Sequence, residues 1–175
     1  MRMSFTIVVL KSLYFFLPAY FANMAPVLFR GIPFFGRPVH EKTFGKNKTW
    51  RGLLIAPIIG MIVFWLQQIA YVNGFQAWAL IDYSDFSILF GFLLGFGAIL
   101  GDLVKSYYKR KAGIKPGERW IPFDQIDFVI GGIVFSFFMF VPPAEVVLVL
   151  LIVSPLLHIV ANHLGYWLKI RKEKW

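Results

Sequence analysis

The chain has 175 residues, a length that suits one domain, with 58% hydrophobic residues, 15% charged residues and a formal net charge of +9. A water-soluble body of this size exposes too much of its surface to hide so large an apolar area, so the composition excludes the soluble globular class and leaves lipid as the solvent. The absence of cysteine excludes disulfides and thiolate metal sites.

In chain order, apolar periodicity predicts a single transmembrane domain, residues 1–175, of about five helices. The first span covers 4–29, with Lys11 near one end and Pro18 inside. Its apolar part is too long for a signal-peptide core, so it is expected to be a retained helix. A basic loop, 30–52, follows, then a second span over 53–72. The third span, 86–108, carries Asp102 and Lys105 within its last two turns. A second basic loop, 109–125, leads to a fourth span over 126–141, which begins beside Asp127 and ends at Pro142-Pro143. The fifth span covers 146–168. About 20 residues are needed to cross the hydrocarbon core. The third and fourth stretches reach or approach that length only if Asp102 and Asp127 lie in the membrane or at its edge.

The basic residues set the expected orientation. Of the 18 Lys and Arg residues, six lie in 30–51, six in 105–125 and four in the C-terminal tail, while 73–85 and 142–145 hold none. Five spans with the N-terminus outside and the C-terminus in the cytoplasm satisfy the positive-inside rule at every loop. The net charge therefore needs no nucleic-acid partner.

Two segments are richer than topology requires. Asp102, Lys105, Ser106 and Lys109 share one helical face, a stripe of one carboxylate, one hydroxyl and two ammonium groups. Asp124 and Asp127 share a face at the start of the fourth span. Asp124 has a sufficient structural explanation as an acid in a first helical turn. Asp127 does not, because it abuts an apolar run where an ionisable group costs about 2.5–3.5 kcal/mol to insert. Three carboxylates so close together would repel one another. Either basic neighbours or a divalent cation held by carboxylates and substrate phosphates resolves the conflict. The loop from His40 to Gly52 adds Gly, Lys, Asn and Thr residues suited to phosphate, without the Walker spacing, and an ordinary positive-inside loop accounts for it equally well. Asn162 and His163, with His158, read as interhelical hydrogen-bonding groups.

Segment 101–127 resembles the signature of the CTP-dependent phosphatidate cytidylyltransferases. The match runs through Gly101-Asp102, Ser106-Tyr-Tyr-Lys109-Arg110, Lys115, Ile121-Pro122 and Asp124-Gln125-Ile126-Asp127. Pro116 stands where the family has an acid, Gln125 where it has Arg, and a His-Gly-Gly segment is missing. These departures, with the Pro-Phe-Asp-Gln-x-Asp run and the compact size, resemble the archaeal branch, which makes CDP-archaeol.

The resemblance implies cytidylyl transfer from CTP to an unsaturated archaetidic acid-type lipid phosphate, a dialkyl ether, with release of pyrophosphate. It implies catalytic roles for Asp102, Asp124, Asp127 and Lys105, and Mg²⁺ on the three aspartates. Phosphates of CTP or lipid would be neutralised by Lys105, Lys109, Arg110 and Arg119, with Lys46, Asn47, Thr49 and Arg51 closing the site from the first loop. The enzyme is expected in the cell membrane as a multi-pass protein with its active site on the cytoplasmic side, and a homodimer is left open. Two other readings stand beside it: a CTP-dependent polyprenol or lipid kinase, and a non-enzymatic transporter of anionic lipid.

Overall fold

The computed structural model describes residues 4–115 and 118–169. Seven α-helices and two short 3-10 turns, with no multi-residue strand among the described residues, form one bundle: α1 (Phe5–Phe15), α2 (Leu17–Leu28), α3 (Glu41–Phe44), α4 (Trp50–Val72), α5 (Leu89–Lys111), α6 (Phe123–Ser136) and α7 (Ala144–Trp167). Among the described residues, α4, α5 and α7 are long and apolar enough to cross a membrane, and the bent pair α1–α2 makes a fourth candidate.

The first expected span is broken. α1 and α2 meet at Phe16 with a bend of 48°. Pro18 has no N–H to give the carbonyl of Tyr14, four residues back. Gln67 on α4 fills the gap, donating from Nε2 to that carbonyl at 2.6 Å. The kink is thus satisfied from a neighbouring helix, as buried backbone in lipid requires.

The fourth expected span is also shorter than its apolar run. α6 has 14 residues and ends at Ser136. Pro142 and Pro143 bring no backbone donors and restrict the residues before them, so the helix does not resume before α7. α5 in contrast runs to Lys111, one turn past its expected end, and keeps Lys109 on the helix.

α5 is the centre of the bundle, packed against α2, α4 and α6, while α7 packs on α1 and α6. Glycine seams let the backbones touch. Between α4 and α5 the seam is Gly60 with Gly91 and Gly95, and between α5 and α6 it is Gly97 and Gly101 with Gly131. A β-carbon at these positions would overlap backbone of the opposing helix. At one end, Tyr83 is fully buried among Tyr14, Phe64 and Tyr71, and Gln68 donates to the carbonyls of Tyr83 and Phe86. The charged loops gather at the other end.

Candidate active site

At the charged end, the loop between α2 and α4 closes on itself. Pro38 and Thr49 form an antiparallel bridge, and the Val39 N–H donates to the Lys48 carbonyl at 2.8 Å. Thr49 caps α4, its Oγ1 accepting from the Gly52 N–H at 3.3 Å. Arg51 donates to the Ile32 carbonyl and its own N–H bonds the Phe35 carbonyl at 2.8 Å. These ties aim Lys48 toward α5, where its Nζ pairs with Asp102.

The seam between α5 and α6 sets the rest. Because Gly101 has no side chain, the Asp127 backbone lies against α5, and the carboxylates of Asp102 and Asp127 face one interior point. Lys105 Nζ holds that point. It lies 3.2 Å from Asp102 Oδ1, 3.0 Å from Asp124 Oδ1 and 3.0 Å from Asp127 Oδ2. Lys109 Nζ closes the far side on Asp124, at 2.7 and 2.9 Å from its two oxygens. Three carboxylates therefore share three ammonium groups in a continuous ion-pair network. Asp127 is the most enclosed, its side chain 5% exposed, with Oδ1 accepting from the Phe128 N–H at 2.6 Å.

Asp124 stands at the mouth, in the first turn of α6, and also accepts from the Trp120 N–H at 2.6 Å. Burial opposes ionisation of its carboxyl, but the Lys109 and Lys105 ammonium groups and the Trp120 N–H outweigh it and hold its pKa below the usual carboxylate range.

The structure brings together four residues singled out from the sequence as catalytic, Asp102, Lys105, Asp124 and Asp127, with Lys109. Ser106 lies on the expected face, but its hydroxyl is turned back into the helix, donating to the Asp102 carbonyl at 2.8 Å. The groups expected from the first loop divide. Thr49 and Arg51 hold that loop in shape, Asn47 is exposed in its turn, and Lys46 points to a separate recess with Arg110. Arg119 is exposed in the segment before α6. Lys48 was not singled out in the sequence. It looks like one more positive-inside residue, and only the closed loop reveals its partner. Lys42, which lines the recess, was hidden for the same reason, whereas Lys115, also in its lining, stands in the signature without a role assigned to it. On α7, His163 Nδ1 lies 2.8 Å from the Ile159 carbonyl within its own helix, and the His158 ring packs on Phe128. The three tail cations Arg171, Lys172 and Lys174 lie outside the described residues.

As they stand, no three His, Cys, Asp or Glu side chains among the described residues are arranged around a metal ion. The donor set nevertheless fits Mg²⁺: all three acids offer carboxylate oxygens to one point, and a cation, the Lys105 ammonium, already satisfies them there.

Residues 5–175 match the family described as CarS-like: CDP-archaeol synthase. The chain belongs to that family. A CDP-archaeol synthase of Pyrococcus furiosus is 36% identical over 95% of this chain and 98% of its own length. One from Thermococcus onnurineus is 34% identical over 95% and 96% respectively. A solved structure described as an intramembrane enzyme for archaeal membrane lipids biosynthesis superposes with a TM-score of 0.70 at 26% identity, covering 88% of this chain and 94% of that one. In this CDP-archaeol synthase family member, the carboxylate cluster coincides with the segment that carries the cytidylyltransferase signature.

Proposed function

We propose that the protein transfers the cytidylyl group of CTP to a dialkyl ether glycerol phosphate of the unsaturated archaetidic acid type, giving CDP-archaeol and pyrophosphate. The observation that carries this reading is the gathering of Asp102, Asp124 and Asp127 around Lys105, on a chain of that family. The bundle lies in the cell membrane as five spans, the short α6 included, with the N-terminus outside and the charged end in the cytoplasm, where CTP is dissolved. The charge asymmetry of the loops supports that orientation.

The lipid phosphate is its own nucleophile. A phosphate monoester is largely dianionic near neutral pH, so no protein base is needed to activate it. Its oxygen attacks the α-phosphorus of CTP, a P–O bond forms there, and the bond from that phosphorus to the bridging oxygen of the β-phosphate breaks. The protein's part is positioning and charge neutralisation, which dominate such transfers. Asp102, Asp124 and Asp127 would hold Mg²⁺, which when bound supplies charge neutralisation at phosphate oxygens. Lys105 exchanges carboxylate partners for a phosphate oxygen, and Lys48 and Lys109 keep the acids apart and aligned as it does so.

The test is purified protein with Mg²⁺, CTP labelled at the α-phosphate, and a di-geranylgeranyl glycerol phosphate. Label in the lipid product is expected. Label remaining only in released CDP would instead make the protein a lipid kinase.

A further inference from the structure

The loop between α2 and α4 carries an apolar tip that the carboxylate cluster does not use. Phe34 and Phe35 stand 69% and 65% exposed, as open as the lipid-facing Ile152 on α7. Two adjacent phenyl rings turned to water are unfavourable, and exposed apolar area rimmed by polar groups marks a contact surface.

The backbone holds the tip in this posture. Phe35 has φ +49, in the left-handed region that a bulky residue adopts only where its surroundings enforce it. The enforcement comes from the start of α4. The Arg51 N–H donates to the Phe35 carbonyl at 2.8 Å, the Trp50 N–H to the Arg37 carbonyl at 3.2 Å, and Arg51 Nη1 to the Ile32 carbonyl. A β-carbon at Gly36 would stand 3.4 Å from Arg51 Nη1, so the guanidinium backs the tip from its inner side. The inner side is thus filled by polar ties, and the two rings are left outside.

Continuity and charge both indicate what meets them. The loop leaves α2 just after Leu28 and rejoins α4 at Trp50, both exposed at the ends of apolar helices. Trp50 is the kind of residue that sits at a membrane–water boundary. Arg30 and Arg37 flank the rings, both exposed, and no Asp or Glu lies between Arg30 and His40. Aromatic rings between cations suit that boundary, with the rings at the acyl border and the guanidinium groups on anionic headgroups.

We propose that Phe34 and Phe35 insert into the leaflet at the charged end of the bundle, with Arg30 and Arg37 on anionic lipid headgroups, and that this anchor braces the limb of the loop that carries Lys48. The two limbs are tied through the Pro38–Thr49 bridge and the Val39–Lys48 hydrogen bond, so fixing the tip fixes the approach of Lys48 to Asp102. The bilayer is then a structural partner of the cluster, whatever group is transferred there.

The chain has no cysteine, so one introduced cysteine takes a fluorophore without competition. Phe34→Cys is labelled with bimane in the full-length protein, and so is Asn47→Cys, a control in an exposed turn of the same loop. Each is reconstituted in vesicles of phosphatidylcholine and phosphatidylglycerol. Quenching is measured with a nitroxide near the glycerol end of the acyl chains and, separately, with iodide in the water. The label at position 34 is expected to be quenched at least about threefold more than that at 47 by the nitroxide, and at least about threefold less by iodide. Equal iodide quenching at the two positions would overturn the insertion. Iodide protection without nitroxide quenching would overturn it as well, because a protein surface, such as a second copy of this chain, would then cover the rings.

Bracing is read with the double substitution Phe34→Ser and Phe35→Ser in the same vesicles. Amide hydrogen exchange across Val39 to Arg51 is expected to rise at least about tenfold, with α5 unchanged. Exchange equal to wild type across that stretch would refute the bracing. Phe34→Ser alone gives the same reading if the double variant does not purify folded. Neither measurement involves turnover, so a failure of cytidylyl transfer leaves both outcomes readable.

Discussion

Gly101 on α5 lies so close to the carbonyl oxygen of Asp127 on α6 that a β-carbon at position 101 would overlap it. This contact brings two acids from separate helices to one lysine. Gly97, one turn away, makes the same kind of contact with the Gly131 carbonyl, but away from the charged end. The two glycines therefore separate packing from positioning.

Gly97→Ala and Gly101→Ala are each expected to cost about 1–3 kcal/mol of stability by overpacking. Only Gly101→Ala is expected to lower kcat further, by roughly a hundredfold, because it displaces Asp127 from Lys105. Thermal melting and the label-transfer assay on both variants check this. An equal fall in kcat for the two would reduce Gly101 to a packing residue.

Lys105→Met leaves three carboxylates without their shared counter-ion. Breaking a buried ion pair on one side typically costs about 3–5 kcal/mol. The variant is expected to melt below wild type without divalent cation. Added Mg²⁺ should recover more stability in the variant than in wild type, because the ammonium that sits between all three acids is then gone, leaving only Lys48 on Asp102 and Lys109 on Asp124. Melting curves in detergent with and without Mg²⁺ report both effects, and equal Mg²⁺ responses would argue against the three acids as the metal site.

Ser106→Ala is expected to stay within about tenfold of wild-type activity. Its hydroxyl is spent on the Asp102 carbonyl in the preceding turn, a bond of modest net worth. A loss of a hundredfold or more at saturating substrates would show the hydroxyl reaching substrate instead.

The pH dependence should follow the lipid phosphate. Asp124 is held below the ordinary carboxylate range, so its pairing is complete above that range and is lost only as pH falls through the lowered value. The second ionisation of a phosphate monoester lies near pH 6. The acid limb of kcat/KM is therefore expected near pH 6, and to move when the nucleophile is changed to a phosphonate of higher pKa. A limb that stays fixed across nucleophiles would place the titrating group on the protein.

Much of the site was legible because helical spacing is local. Asp102, Lys105 and Lys109 are three and four residues apart, and α5 is a regular helix that presents them on one face. Asp127 stood out because an acid beside an apolar run has no cheap structural explanation. Lys48 did not, since its partner Asp102 is 54 residues away and the pairing depends on the bridge that closes the first loop. Thr49 and Arg51 suited phosphate by residue type, but a helix cap and a loop carbonyl take their polar groups. The bend at Phe16 followed the same pattern. Pro18 was visible as a helix breaker, while the Gln67 side chain that satisfies the freed carbonyl comes from another helix. Local periodicity is written in neighbouring residues, and long-range polar compensation is not.

The most direct test of the cluster as the reacting centre is the rate of α-label transfer to lipid by Asp127→Asn. The substitution keeps the size of a side chain that is 5% exposed, removes its charge and replaces one of its two accepting oxygens with an amide donor. A fall of roughly 10²–10³ or more in rate, in a protein that still purifies as a folded bundle, is predicted by analogy with the loss of one transition-state charge contact. A folded Asp127→Asn protein that transfers label at the wild-type rate would contradict the account.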